Sequence, residues 1–192
     1  MYRGSSLLLI KYRKMFANAL VLLHFDYRDT IYGRASKTKL HGLDVLYKKV
    51  AKIALGAKQT ESSLNVYKDM KWLTLHLRRQ VHISSYILKI IKCQWPSNFI
   101  NKFNFISGGS GDGAQCNLYT PKSTSLKQFY YLGAKAWNNL PSDLRKIDDP
   151  KLFSKLYKAQ LLTSISNSAN YAVNNSFEYF YKLTWLYNII IH

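Results

Sequence analysis

Four groups of side chains in this chain have the types that do chemistry. Asp148 and Asp149 stand side by side, and paired carboxylates can hold two divalent ions against a phosphoryl group. The run "GGSGDGA" places Gly109-x-Gly111 in the opening spacing of a nucleotide-binding turn. His24, His41, His76 and His82 could carry protons or ligate a metal. Lys48, Lys49 and Lys52, with the adjacent Arg78 and Arg79, could neutralise phosphates.

Context removes the first three groups. Asp149 directly precedes Pro150 and the run "KLFSKLYKAQLL", where an aspartate caps a helix, meets the positive end of its dipole, and is followed by the proline suited to the first helical position. The glycine run has Ala114 where the third glycine belongs, and no strand pattern precedes it. The histidines have no serine, cysteine or carboxylate at a diagnostic spacing. Cys93 and Cys116 are the two cysteines; they form no Cys-x-x-Cys pair and so suggest neither a zinc site nor a disulfide framework. Ten acidic residues leave few carriers for general acid–base work. The expectation is no catalytic residue, no metal and no cofactor, hence no enzyme activity in this chain by itself.

The cations are left, and their number argues for a polyanionic partner. The chain carries 28 Lys and Arg against 10 Asp and Glu, a formal charge of +18, well beyond what solubility requires. Residues 1–104 hold 19 basic and 5 acidic side chains, residues 105–192 hold 9 and 5, so the footprint belongs to the first half. RNA or DNA is the expected partner. Tyr12, Tyr27, Tyr32 and Tyr47 lie in the same half and could stack on bases, although rings of this kind more often pack in a core.

An apolar share of 47% is enough to offset the entropy of ordering the chain, and the apolar spacing is helical. From Ser6 to Leu23 it predicts an amphipathic helix with Leu8, Tyr12, Met15, Phe16, Ala19, Leu20 and Leu23 inward. "HFDYRDTIYGR" breaks the pattern and reads as a connection with packed aromatics. Ser36 or Thr38 caps a second helix ending at Ala54, with Leu40, Leu43, Leu46, Val50 and Ile53 inward and Gly56 as its left-handed stop. Lys48, Lys49 and Lys52 then share its outer face. "TESSLNVYKDM" predicts a short helix. Thr74 starts a longer one that carries Arg78 and Arg79 in its first turns and Leu77, Val81, Tyr86, Ile87 and Ile90 inward, and that ends before Trp95-Pro96. "SGGSGDGAQ" marks a flexible connection. Leu126, Phe129, Tyr130, Gly133 and Trp137 follow helical spacing, while "LKQFYYL" could also begin a strand. Pro141 and Pro150 each take a first helical position, and beyond Thr163 the Asn/Ser-rich run loses its period. The resulting expectation is a mainly α protein with a basic helical bundle over 1–104, a linker over 105–124, a smaller helical segment over 125–163 and a loose tail over 164–192. Neither "MYRGSSLLLIKYRK" nor "FEYFYKLTWLYNIIIH", which contains Glu178 and Lys182, has the uninterrupted apolar length of a membrane span. An intracellular location, nuclear or cytoplasmic, is expected.

"GAKAWNNLPSDLR" followed by "FSKLYKAQL" resembles the end of the reverse-transcriptase reading frame of jockey-like non-LTR retrotransposons. Three earlier pieces are similar to that family in the same order: "LLHFDYRDTIYG", "LDVLYKKVAKIALGA" and "MKWLTLHLRRQVH". Together they cover residues 6 to 162. The resemblance implies a region after the polymerase palm, the thumb and the segment behind it, holding an RNA/DNA duplex or template RNA and docking on other parts of a reverse transcriptase. It carries over nucleic-acid contacts onto Lys48, Lys49, Lys52, Arg78 and Arg79. It carries over no catalytic residue, because "KIDDP" has Lys146 where the palm motif has an aromatic; the endonuclease part and zinc knuckle of the family have no counterpart here. The run after Thr163 and the glycine stretch also depart from the family pattern. In this reading Trp137 plugs a core, and Gly133, Ala134 and Ala136 allow close helix approach. The rival expectation is a helical module that docks a protein through aromatic surfaces.

Overall fold

The computed structural model describes residues 8–106, 117–122 and 128–172. Their regular structure is helical apart from one antiparallel bridge between Phe105 and Leu118, as the periodicity predicts.

Helix α1 (Ile10–Phe16) runs through five π-helical residues, Ala17–Val21, into α2 (Leu22–Asp26). The first residues of the expected helix, Ser6 and Leu7, lie outside the described residues, and the helical rod extends to Asp26, past Leu23. Its expected inward face is turned outward. Met15 is 56% exposed, Phe16 50%, Leu20 59% and Leu23 63%, while Ala17, Leu22 and Phe25 are buried. The reason is compositional: apolar residues occur on nearly every side of this rod, so spacing alone does not choose a face. The small Ala17 permits close approach to the next long helix. The π turn's wider i→i+5 bonding brings Ala17 and Leu22, five apart, onto the same side.

Arg28 adopts the left-handed conformation, φ 52°, and turns the chain into α3 (Asp29–Tyr32). Helix α4 (Lys37–Leu55) begins where Ser36 Oγ accepts from Lys39 N–H. It ends at Gly56, φ 76°, with the Ala57 N–H donating back to Lys52 O at 2.9 Å, a Schellman closure that needs a residue without Cβ strain. Helix α5 (Ser63–Met70) follows, then α6 (Leu75–Cys93), capped by Thr74 Oγ1 accepting from Leu77 N–H. After a 3-10 turn, Ser97–Lys102, come α7 (Gln128–Asn138), α8 (Ser142–Arg145) and α9 (Pro150–Ala172). "LKQFYYL" is therefore helical from Gln128. Pro150 opens α9 as expected; Pro141 stands one place before α8, at its cap. The helix expected to stop near Thr163 continues to Ala172, because Ile165 finds a buried site against Leu73 and Val81. Residues 173–192 of the expected loose tail lie outside the described residues.

Two principal cores form. In the first, Tyr47 is fully buried, stacked on Trp72 at 5.2 Å and edge-on to Phe25 at 5.2 Å, and its hydroxyl donates to Leu73 O at 2.8 Å. In the second, Trp137, 1% exposed, is buried with Ile87, Leu88 and Ile90 of α6 and Phe153 of α9. The glycine-rich stretch does not divide these bodies. Helix α6 before it and α7 and α9 after it share the second core, and Ile106 N–H to Asn117 O (2.9 Å) with Tyr119 N–H to Asn104 O (2.8 Å) bring its two ends together. Residues 107–116 themselves lie outside the described residues.

Candidate nucleic-acid interface

Helix α4 spends one face on the Tyr47 core through Tyr47, Ala51 and Ala54. At 100° per residue, Lys37, His41, Lys48 and Lys52 fall along one line that flanks this buried stripe and also contains Asp44, while Lys49 lies on the side opposite the core. Lys48 and Lys49 are exposed and Lys52 is half-buried, its ammonium donating to Gln59 O at 2.6 Å. Among the described residues neither Lys48 nor Lys49 has an ion-pair partner. Asp44, the acid nearest in sequence, acts on Tyr67 and His76, on the side of α5 and α6. Asp44 also stands one turn before Lys48 on α4, but no ion pair joins the two among the described residues.

Arg78 and Arg79, the other expected contacts, have been drawn inward. The Arg78 guanidinium spans both oxygens of Asp26, with Nε to Oδ1 at 2.9 Å and Nη2 on Oδ2; its side chain is only 11% exposed. Burial works against its charge, yet the Asp26 carboxylate, with Tyr47 and Asp29 nearby, outweighs it and the pKa is raised. Arg79 is buried and donates from Nε to Leu75 O at 3.1 Å. Their place in the first turns of α6 is as expected, but α6 has neighbours on several sides, so those turns do not face solvent. The phosphate-binding expectation stays with α4.

The arginines belong to a polar cluster that joins two motifs separated in sequence. "DYRDTIYG" supplies Asp26, Asp29, Tyr32 and Gly33; "LHLRRQVH" supplies Arg78, Arg79 and His82. Buried Asp29 faces His82 Nδ1, and Tyr32 donates its hydroxyl to Phe25 O. Burial, then the nearby Asp29, raises the Tyr32 pKa. A Cβ at Gly33 would sit 2.5 Å from Asp29 O and 2.7 Å from Arg79 Cδ, so the glycine is what lets α3 end against α6. Ligand atoms of Asp26, Asp29 and His82 lie within 4.8 Å of one another, which is compact enough for a cation. Arg78 already occupies both Asp26 oxygens, however, and the chemistry of the set is that of an ion-pair network. Sequence spacing gave no sign of it, because the partners lie more than fifty positions apart.

The remaining candidates resolve into structure. Asp149 caps α9, accepting from Lys151 N–H at 2.9 Å and Leu152 N–H at 3.3 Å, and Asp148 pairs with Lys92 at 2.8 Å. His24, His41 and His76 are surface side chains. Of the four tyrosines, Tyr47 is core, Tyr32 is half-buried, and Tyr12 and Tyr27 are 44% and 66% exposed. Cys93 is free and exposed.

"WNNLPSDLR" is packing throughout. Trp137, Leu140 and Leu144 are buried. The Asn138 side chain clamps the Leu118 backbone, accepting its N–H and donating to its carbonyl, both at 2.8 Å. Arg145 donates to Leu140 O at 3.1 Å and to Asn117 Oδ1 at 2.7 Å. A Cβ at Gly133 would meet Ile87 Cδ1 at 2.6 Å, so α7 sits on α6 more closely than any side chain would allow. Among the described residues no helix is long and apolar enough to cross a membrane. Compared with models of protein families, with curated proteins and with solved structures, the chain matches none.

Proposed function

We propose that this chain is the thumb and post-thumb part of a non-LTR retrotransposon reverse transcriptase, without catalytic groups of its own, and that it grips an RNA/DNA duplex or template RNA. The observation that carries the proposal is the line of cations on α4, where Lys48 and Lys52 stand one turn apart and neither has an ion-pair partner among the described residues. From Lys37 to Lys52 this line is about 22 Å long at 1.5 Å per residue, enough to follow several phosphates of one strand. The net charge of +18 adds a long-range attraction that speeds encounter. The four resembling segments support the parentage, since two of them meet in one ion-pair cluster and a third supplies the Trp137 core.

Binding through these lysines is phosphate binding, which fixes position and reads no sequence. The full chain should therefore hold duplexes of different sequence equally. Its log K should fall with log salt at roughly 0.9 per phosphate neutralised. Reversing both charges, Lys48→Glu with Lys52→Glu, should weaken duplex retention on filters at least about tenfold and flatten the salt slope by about 1.8. Unchanged retention and slope in a variant that melts like the parent would end the proposal.

A further inference from the structure

The N-terminal rod carries a second surface whose chemistry differs from that of the lysine face. Leu8, Tyr12, Phe16, Leu20 and Leu23 recur at steps of four and three, and every one is between 43% and 63% exposed. This outward stripe is about 22 Å long at 1.5 Å per residue. Beside it α1 and α4 enclose an open apolar groove of about 410 Å³, walled by Leu8, Phe16, Val21, Val50 and Ile53. Arg13 is the polar member of that wall. Its Nη1 reaches Ile53 O, while its buried Nε–H has no acceptor among the described residues. A buried guanidinium N–H left unpaired is costly, and a carboxylate is the group that satisfies it best.

We infer that this stripe and groove dock an amphipathic helix whose apolar residues are flanked by glutamates or aspartates. Each feature selects that occupant. A concave seat between two helices fits a convex helix, read through anchors three and four residues apart, whereas a flat lipid surface would leave the groove unfilled. Arg13 is the charged member of the wall, Lys11 and Lys14 accompany it on α1, and residues 8–25 contain no acid, so the charge complement is negative. A second copy would bring the same cations face to face, and like charges brought together in this way oppose association. The surface is distinct from the lysine line, which lies on the other side of α4.

The test uses the full chain and a helical probe peptide of about 18 residues with leucines at i, i+3, i+4 and i+7 flanked by glutamates. A matched peptide with lysines in place of the glutamates serves as the comparison. Fluorescence anisotropy should show the glutamate peptide binding at least tenfold more tightly than the lysine peptide. Phe16→Asp, at a half-exposed wall position, should weaken it at least tenfold while far-UV circular dichroism and the melt stay as in the parent. Leu20→Asp repeats the measurement at a site that the groove wall does not use, so loss in both places the peptide along the stripe. Duplex retention should be unaffected by either change. Equal binding of the two peptides, or binding indifferent to both substitutions, overturns the inference. It is overturned equally if these substitutions instead abolish binding to vesicles of phosphatidylcholine and phosphatidylserine, or dissociate a dimer seen by sedimentation.

Discussion

The Tyr47 core and the Trp137 core are both aromatic, and both are finished by polar groups, but the buried and half-buried ion pairs stand beside the first. Around Tyr47 the links are ionic: Arg78 on Asp26 and His82 on Asp29. Around Trp137 the inner links end on neutral acceptors, the Asn138 amide on the Leu118 backbone, Ser85 bonded to Ser154 at 2.7 Å and Arg145 on Leu140 O and Asn117 Oδ1, and the Lys92–Asp148 ion pair lies at the surface. The first region also keeps its basic line and its apolar stripe outside, whereas the second spends its most distinctive residues inside. Neutral hydrogen bonds hold a scaffold with little dependence on salt or pH. Ionic links ask for a partner on each side, and removing one leaves a desolvated charge. Under the function proposed above, the first region meets other molecules and the second holds it in place.

The largest expected effect lies in the Trp137 region. Trp137→Ala removes a side chain that is 1% exposed and should cost about 3–5 kcal/mol, the range for large aromatic truncations in a core. Thermal or urea unfolding measures it. Because α6 serves both cores, the loss should appear in one cooperative transition covering the whole helical signal. Two separate transitions would mean that the regions are independent and that the contrast between them is one of domains. No loss at all would put the ring outside the core.

This prediction rests on something readable before any fold was known, and the contrast with what was not readable is physical. Ser36 with Gly56, Thr74, and Asp149 with Pro150 were legible because a cap is a local device, decided within four residues. Trp137 was legible because a large apolar ring among small neighbours has few other uses. The outward turn of Leu20 and Leu23 was not, since the N-terminal rod is apolar on several sides and the choice of face depends on α4. Arg78 and Arg79 looked like solvent-facing cations because what encloses them, Asp26 for Arg78 and the crowded turn at Gly33 for Arg79, is distant in sequence. Ile165 extended α9 past an apparently aperiodic run for the same reason: one contact with Leu73 and Val81 outweighs weak local preference.

The middle-sized effect probes the ionic region. Asp26→Ala leaves the Arg78 guanidinium, 11% exposed, without its carboxylate. Breaking a fully buried pair costs about 3–5 kcal/mol; with Asp26 itself 26% exposed, about 2 kcal/mol is the better expectation once solvent screening is allowed for. Double replacement, Asp26→Ala with Arg78→Met, should recover a good part of the loss, because the stranded charge is gone. Urea midpoints of the four proteins give the coupling directly. A double variant no better than Asp26→Ala would show that the pair's geometry, and not its uncompensated charge, holds α2 to α6.

The smallest effect separates the regions by pH. Burial first, then Tyr47 and Asp44, pushes the Tyr67 hydroxyl well above its ordinary value, and burial does the same for Tyr47. In the unfolded chain both titrate near pH 10. Below that pH the two states bind the same protons and the tyrosines do not bias folding. Above it the unfolded chain releases protons that the folded chain keeps, so stability falls as pH rises, by about 1.4 kcal/mol per pH unit for each such group. Tyr157, on α9, is also raised by burial, so some alkaline loss will remain in any single variant. Tyr67→Phe should leave the pH 7 melt nearly unchanged and remove one tyrosine's share of the slope between about pH 10 and 11.5. An identical alkaline slope in parent and variant would mean that water reaches Tyr67 at high pH, and that the Tyr47 core opens before the chain unfolds.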